Sequence, residues 1–404
     1  MLVAAGVGVG AYFGIRELTR EEDEAPAPQV AVKEEEEEPK AAEELGFPAF
    51  ATKNTTRVGG NDATADAAGV ALATFPSAGG VDPPAAVTLV ESSDWAAGIA
   101  ASVLVSEPIR APLLLSGSDE VPDQTETALD ALGPEGSAET RDAQVLRIGD
   151  ARAPSDLRAT DVRGTDPAQL AEGVDRLRQR LAGRGPRHIV LASTEDPAFA
   201  MPAAAWAARS GDPVLFVERN RVPAATIEAL KRHKDTPVFL LGPDSVASEK
   251  VVNQVKKVSP AVQRISGSDP VTNAIAFARH EAGSFGWNIA DPGHGLVIAN
   301  ASEPLDAAAA APLSASGKWG PLLVTQNADT VPPPLRGFLL DIKPGYRSDP
   351  TRAFYNHAWL IGDNDVLSVG FQAQVDELLE LVQIQPPPDG QEPSGTGPER
   401  EGRQ

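Results

Sequence analysis

The sequence predicts an α/β protein built from three tandem small domains, each a doubly wound parallel sheet, and three observations carry that prediction. Short apolar runs bounded by turn residues alternate with helical stretches, which is the pattern of buried parallel strands joined by crossover helices. One phrase of strand, acidic turn, small-residue helix and strand occurs three times. Two further phrases accompany every copy in the same order, so the chain is an internal triplication.

The third copy is the clearest. Leu296-Val297-Ile298-Ala299 leads into an acidic turn with Glu303, Pro304 and Asp306, then a run of alanines, then Gly320-Pro321 and Leu322-Leu323-Val324. The small residues let that helix lie close on a sheet. The second copy runs from Ile189-Val190-Leu191-Ala192 to Pro213-Val214-Leu215-Phe216-Val217, and the first from Val87-Thr88-Leu89-Val90 to Ala111-Pro112-Leu113-Leu114-Leu115. Val-Pro follows each copy, at Val121-Pro122, Val222-Pro223 and Val331-Pro332. Proline is tolerated at a first helical position, so each pair opens a helix.

An opening phrase precedes each copy: Arg57-Val58-Gly59-Gly60-Asn61-Asp62, Val162-Arg163-Gly164-Thr165-Asp166 and Arg264-Ile265-Ser266-Gly267-Ser268-Asp269. Its aspartates are 104 and 103 residues apart, and Asp62 is suited to cap the helix that follows. A closing phrase ends each unit at Val145–Gly149, Val238–Gly242 and Ala358–Gly362. Further helices are predicted over 168–181, 224–231 and 245–258, the last with Val251, Val255 and Val258 on one face. The third unit also carries two inserts, at 284–295 and 342–355.

These phrases divide the chain into an apolar start (1–16), an acidic linker (17–53), repeats at 54–157, 158–260 and 261–385, and a Pro/Gly-rich disordered tail (386–404). Residues 2–15 form an uncharged apolar run shorter than the roughly 20 residues of a membrane-spanning helix. The run is read as a membrane anchor or signal segment. The linker is rich in Glu and Pro, a composition that cannot bury enough apolar surface to fold and that extends by self-repulsion.

The net charge is −22, of which residues 16–45 supply −8. Sequence-independent nucleic-acid binding needs clustered Lys and Arg, so nucleic acid is not an expected partner. With no cysteine, disulfides, thiolate metal sites and a cysteine nucleophile are excluded. No G-x-G-x-x-G follows a strand, no P-loop or G-x-S-x-G elbow is present, and the five histidines show no metal-ligand spacing. No cofactor, metal or catalytic residue is expected.

The best site candidates are the acids beyond the strand ends: Asp94, Glu195, Asp196, Glu303 and Asp306. Ligands bind open α/β sheets beyond the carboxyl ends of the strands, although acids there also cap helices. Basic residues cluster twice, with Arg184 and Arg187 in the first group and Lys231, Arg232 and Lys234 in the second. Trp95, Trp206, Trp319 and Trp359 are read as core residues ahead of a stacking platform for sugars.

Taken together, the three phrases resemble the type-2 cell-wall-binding repeat family of Gram-positive surface proteins over residues 55–382. Pro304-Leu305-Asp306-Ala307 with Ala308–Pro312 is the nearest match, and Gly98 and Phe199 stand where the first two units would carry the family aspartate. The resemblance implies a pseudo-threefold arrangement of small α/β domains that attaches non-covalently to an anionic cell-wall polymer or peptidoglycan. It implies no catalysis, and it places the chain in the cell envelope, tethered to the membrane through its N-terminal segment. Two rival expectations stand beside it. One is a ligand-binding or hydrolytic protein that joins Asp306 to His294 and Asp291. The other is a degenerate scaffold for a protein partner.

Overall fold

The structure, a computed structural model, describes residues 48–75, 82–315, 317 and 319–384. The apolar start, most of the acidic linker and the tail lie outside the described residues. No helix among the described residues is long and apolar enough to cross a membrane.

β1 (Pro48–Ala51) falls within the stretch expected to be linker and pairs antiparallel with β2 (Thr55–Val58). The first repeat continues with α1 (Ala63–Thr74), β3 (Val87–Glu91), α2 (Trp95–Ala101), a 3-10 turn through Val105, β4 (Leu113–Ser116), α3 (Asp123–Leu132) and β5 (Val145–Ile148). The second contains β6 (Ala159–Val162), α4 (Pro167–Ala182), β7 (Ile189–Ser193), α5 (Pro197–Ala200), α6 (Pro202–Ser210), β8 (Val214–Val217), α7 (Ala224–Arg232), β9 (Val238–Leu241) and α8 (Glu249–Val255). The third contains β10 (Val262–Ile265), α9 (Pro270–Arg279), β11 (Gly295–Asn300), α10 (Asp306–Ser314), β12 (Trp319–Thr325), α11 (Pro333–Asp341), β13 (Gly345–Tyr346), β14 (His357–Ile361), α12 (Val369–Leu379) and β15 (Val382–Gln383).

Three larger parallel sheets result, in the orders β4-β3-β5-β6, β8-β7-β9-β10 and β12-β11-β14-β2, the last extended by antiparallel β1, and β13 and β15 form a separate parallel pair. The strands read as continuous apolar runs because both faces are covered; β3, β7 and β11 are buried almost along their length. Each opening-phrase strand joins the sheet of the preceding repeat. β6 completes the first sheet, β10 the second, and β2 crosses the whole chain to complete the third, with Trp359 in register with Thr56 and Ile361 with Val58. The helix after each opening strand packs against the sheet of its own repeat. Strand and helix of one phrase thus serve two different sheets, and the connectivity is cyclic.

Small residues let helices from all three repeats meet. Ala307–Ala311 of α10 are at most 1% exposed. α10 packs against α1, α2 and α6, and α6 packs against the 3-10 turn after α2. A Cβ at Gly98 would lie 2.9 Å from the Cβ of Ala308, so α2 and α10 approach more closely than two alanines allow. The Val-Pro prolines occupy the N-cap, one position earlier than expected; α3, α7 and α11 begin at the following residue.

Two glycine positions recur for stated reasons. The closing glycines Gly149, Gly242 and Gly362 all have positive φ, where the chain leaves a strand in a conformation other residues resist. The opening glycines Gly60, Gly164 and Gly267 do not. There a side chain would strike the helix that follows: a Cβ at Gly267 would lie 2.2 Å from the carbonyl carbon of Thr272 and 2.3 Å from the backbone nitrogen of Asn273. Backbone cannot rotate away, so Gly267→Ala is expected to cost about 3 kcal/mol, the upper end of the usual overpacking range. An unchanged urea midpoint would show that the junction has room the geometry denies.

Candidate functional site

The strand-end acids sit where each sheet meets the next opening phrase. At the first junction they form a crevice of about 250 Å³ lined by Glu91, Asp94, Gly149, Asp150, Thr165 and Asp166. It lies beyond the carboxyl ends of β3 and β5, the point where strand order reverses. Its carboxylates have local work to do. Asp94 accepts the Ala97 N–H at 2.9 Å, Asp166 accepts the Gln169 N–H at 2.9 Å, and Asp150 lies 3.5 Å from Arg163. Burial raises the Asp94 pKa, against the pull of the Ala97 N–H. At the second junction Asp196 caps α5 through the Ala198 N–H at 3.0 Å, and exposed Glu195 accepts the Arg219 N–H at 3.2 Å.

The third junction differs. Asp306 does not cap α10; Leu305 holds that position. Instead the Asp306 side chain is 2% exposed, and its Oδ2 has no partner among the described residues. It faces Asp66 of α1, 1% exposed, which accepts the Gly60 N–H at 2.8 Å. Burial, then the charge of Asp306, push the Asp66 pKa well up; burial, then Glu303, do the same for Asp306, with Asp363 and Asp62 adding to both. A wall polymer cannot reach Asp306 in this arrangement, whereas Glu303 beside it is exposed. His294 and Asp291, 3.4 Å apart, precede β11 while Asp306 follows it. The pocket imagined from all three does not form, because the strand stands between them.

The basic residues do converge. Arg184 and Arg187 lie in the loop before β7, and Lys231, Arg232 and Lys234 lie at and after the end of α7, before β9. Both segments end at the amino-terminal edge of the second sheet, opposite its acids. A Cβ at Gly185 would lie 4.0 Å from His233 Nδ1, and Arg178 donates to the Arg184 carbonyl at 3.0 Å, which fixes the loop. Arg232 is held inward by Glu172 and Asp175, and Lys231 pairs with Glu228. Arg184, Arg187 and Lys234 are exposed and make no ion pair among the described residues. Exposed Lys256 and Lys257 join them from the turn after α8, because Ser259 of that turn donates to the Thr236 carbonyl at 3.2 Å. The sequence reading missed these two lysines. Their only signal was a pair of bases ahead of an opening strand.

Among the described residues, Trp95 and Trp206 do not share a platform. Trp206 is buried among Phe277, Phe285 and Trp287, while Trp95 packs edge-on to Phe216, with ring centroids 5.8 Å apart. Among the described residues no group of His, Asp and Glu is arranged to hold a metal ion.

No family model and no curated protein matches this chain. Solved structures do. The chain is similar to Cwp8 from Clostridium difficile, at 18% identity and a TM-score of 0.62, over 81% of this chain and 52% of that one. It is similar to Cwp6 from the same organism at 17% identity and a TM-score of 0.62, over 81% of this chain and 48% of that one. The chain spans about half the length of each, and at these identities the likeness is one of fold.

Proposed function

We propose that this protein is an envelope module that holds an anionic cell-wall polymer against the amino-terminal edge of its second sheet. One observation carries the reading: five exposed cations, Arg184, Arg187, Lys234, Lys256 and Lys257, which make no ion pair among the described residues, gather from three separate segments of a chain whose net charge is −22. An acidic protein that concentrates cations on one edge has built a local field that attracts polyanions while the rest of its surface repels them. The resemblance of the repeated phrases to wall-binding repeats supports the same reading, as does a fold shared with Cwp8 and Cwp6. In this reading residues 2–15 attach the chain to the membrane and the acidic segment spaces the repeats from it.

The test is co-sedimentation of the protein with purified cell wall, before and after its secondary polymers are stripped. Binding is expected only to the unstripped wall, and to weaken with salt as exposed charges are screened over about 8 Å at physiological ionic strength. The triple variant Arg184→Glu, Arg187→Glu, Lys234→Glu is expected to lose at least about tenfold in affinity through reversal of that field. Equal binding by the variant would remove this edge as the site.

A further inference from the structure

A serine, a histidine and an aspartate from three distant parts of the chain meet at the same basic edge. Ser284 Oγ lies 3.2 Å from His188 Nε2, and His188 Nδ1 lies 3.0 Å from Asp212 Oδ2. His188 begins the approach to β7, Asp212 follows α6, and Ser284 is on the third repeat's glycine-containing insert. No motif in the sequence marks any of the three as catalytic: Asp212 lies inside the second copy of the repeated phrase, His188 just before it, and Ser284 in the insert.

The hydrogen bonds select one tautomer of the neutral imidazole. Asp212 Oδ1 accepts the backbone N–H groups of Arg187 (3.2 Å) and His188 (2.9 Å), and Oδ2 accepts Trp206 Nε1–H at 3.0 Å. Three N–H donors already converge on this carboxylate, so it meets His188 as an acceptor and Nδ1 carries the imidazole proton. Nε2 then presents a lone pair to the Ser284 hydroxyl, the arrangement in which a histidine can take a serine proton. The ring cannot turn freely: Phe285 and Phe239 pack edge-on against it at 5.3 and 5.8 Å. His188 and Asp212 are 7% and 1% exposed, while Ser284 is exposed.

Ser284 stands at the tip of a tight turn. Ala282 and Phe285 exchange backbone hydrogen bonds of 2.8 and 3.1 Å, and Gly283 supplies the positive φ the turn requires. The backbone N–H groups of Gly283 and Ser284 donate to no described residue. They are the donors available to a developing oxyanion. Next to the imidazole, Arg187 is exposed, and Arg184 lies three residues earlier.

We propose that Ser284 is a nucleophile, with His188 as its general base and Asp212 as the positioning residue, for hydrolysis of small O-acyl esters carried on an anionic polymer. Ser284 Oγ forms a bond to the acyl carbon while its proton passes to His188 Nε2. The acyl carbon–alkoxy bond then breaks, and the departing alcohol oxygen takes that proton. Water, deprotonated by the same imidazole, attacks the acyl-serine, releases the carboxylic acid and restores the hydroxyl. An exposed serine on a turn suits a small acyl group displayed on a long chain. The acyl chemistry stands apart from the wall-binding reading; only the anionic carrier rests on it.

The whole protein would be treated with a fluorophosphonate probe and mapped by peptide mass spectrometry, and its hydrolysis of 4-nitrophenyl acetate followed. The expected result is an adduct on Ser284 and ester turnover that falls at least about a hundredfold in Ser284→Ala, the lower range for losing such a base–nucleophile unit. Ser284 is exposed, so that variant keeps the fold. His188→Gln should slow labelling to a similar degree, and Asp212→Asn should lower kcat with KM unchanged. Equal labelling and turnover by the protein and Ser284→Ala, or no adduct at Ser284, would overturn the proposal. The anionic ester 4-nitrophenyl succinate tests the carrier: added salt should lower its kcat/KM more steeply than that of the acetate, because screening weakens attraction only for a charged substrate. Equal effects on both esters would remove the anionic carrier, whether or not the protein sediments with cell wall.

Discussion

Asp66→Asn is expected to stabilise the protein at neutral pH by about 1–3 kcal/mol, the usual cost of a buried polar group left without a partner. The second repeat boundary shows why the substitution fits. Asn273 occupies the place of Asp66 there: its Oδ1 accepts the Gly267 N–H at 3.3 Å, and its Nδ2 donates to the carbonyl of Phe199 at 3.4 Å. Phe199 stands where the third repeat has Asp306. An asparagine at 66 would keep the acceptor for the Gly60 N–H and offer a donor toward the unpartnered Asp306 Oδ2. It would also remove one of two buried acids whose charged forms repel each other.

The pH dependence follows from the sign of the shifts. Asp66 and Asp306 both have pKa values raised well above 3.8, chiefly by burial. An acid whose pKa rises on folding holds its proton more tightly in the folded chain. Its stabilising contribution is complete below the ordinary carboxylate range and is lost as pH rises through the folded value. The groups facing the pair are Asp62 from the start of α1, Glu303 from the start of α10 and Asp363 after β14. All are acids, so none of them offsets the loss. Urea midpoints measured from about pH 4 to about pH 8 should show a gap between Asp66→Asn and the unsubstituted protein that widens upward. A gap that is constant or reversed would mean that the two carboxyls do not share this environment.

Arg57→Ala should act at the far end of the chain. Arg57 is 3% exposed. It donates to the carbonyls of Gly362 (2.8 Å) and Asp363 (2.9 Å) and to Gln372 Oε1 (3.0 Å), all more than 300 residues away. Hydrogen bonds from a charged donor are the stronger kind, and losing these leaves buried acceptors without a donor, so the cost should be about 3 kcal/mol or more. Arg264 makes the corresponding bond to the Gly242 carbonyl at 2.8 Å. At the first boundary the charges are exchanged, and Asp161 of β6 accepts from Arg147 of β5. Hydrogen exchange would locate the damage. Amides of His357–Ile361 should lose protection while those of Val87–Glu91 keep it. Loss confined to the residues around 57 would mean that β2 does not hold the third sheet.

The alternating strands and helices were legible in the sequence because their cause is local. A parallel strand covered on both faces must be apolar along its length, as Leu296–Ala299 and Ile189–Ala192 are, and a helix packed as closely as α10 must be made of alanine. The capping roles of Asp62, Asp94 and Asp196 were legible for the same reason, since a cap bonds an amide two or three residues away. The partner of each opening strand was not. Thr55–Val58 opens the first repeat along the chain, yet its hydrogen bonds go to β14 of the third, because an edge strand pairs with whichever edge folding brings beside it. The fate of the acids was equally hidden. Asp94, Glu303 and Asp306 occupy similar places in their phrases, and only the close packing of α1 against α10 buries the last of them opposite Asp66. Convergence of Lys256 and Lys257 with Arg184 and Arg187, and of Ser284 with His188 and Asp212, likewise depends on loops from different repeats reaching one sheet edge. What the sequence by itself determined was the set of elements and their threefold recurrence, through the period and size of its side chains. Only the tertiary structure decided which elements share a sheet and which charges share a surface, because contacts between distant segments leave no pattern in the spacing of neighbours.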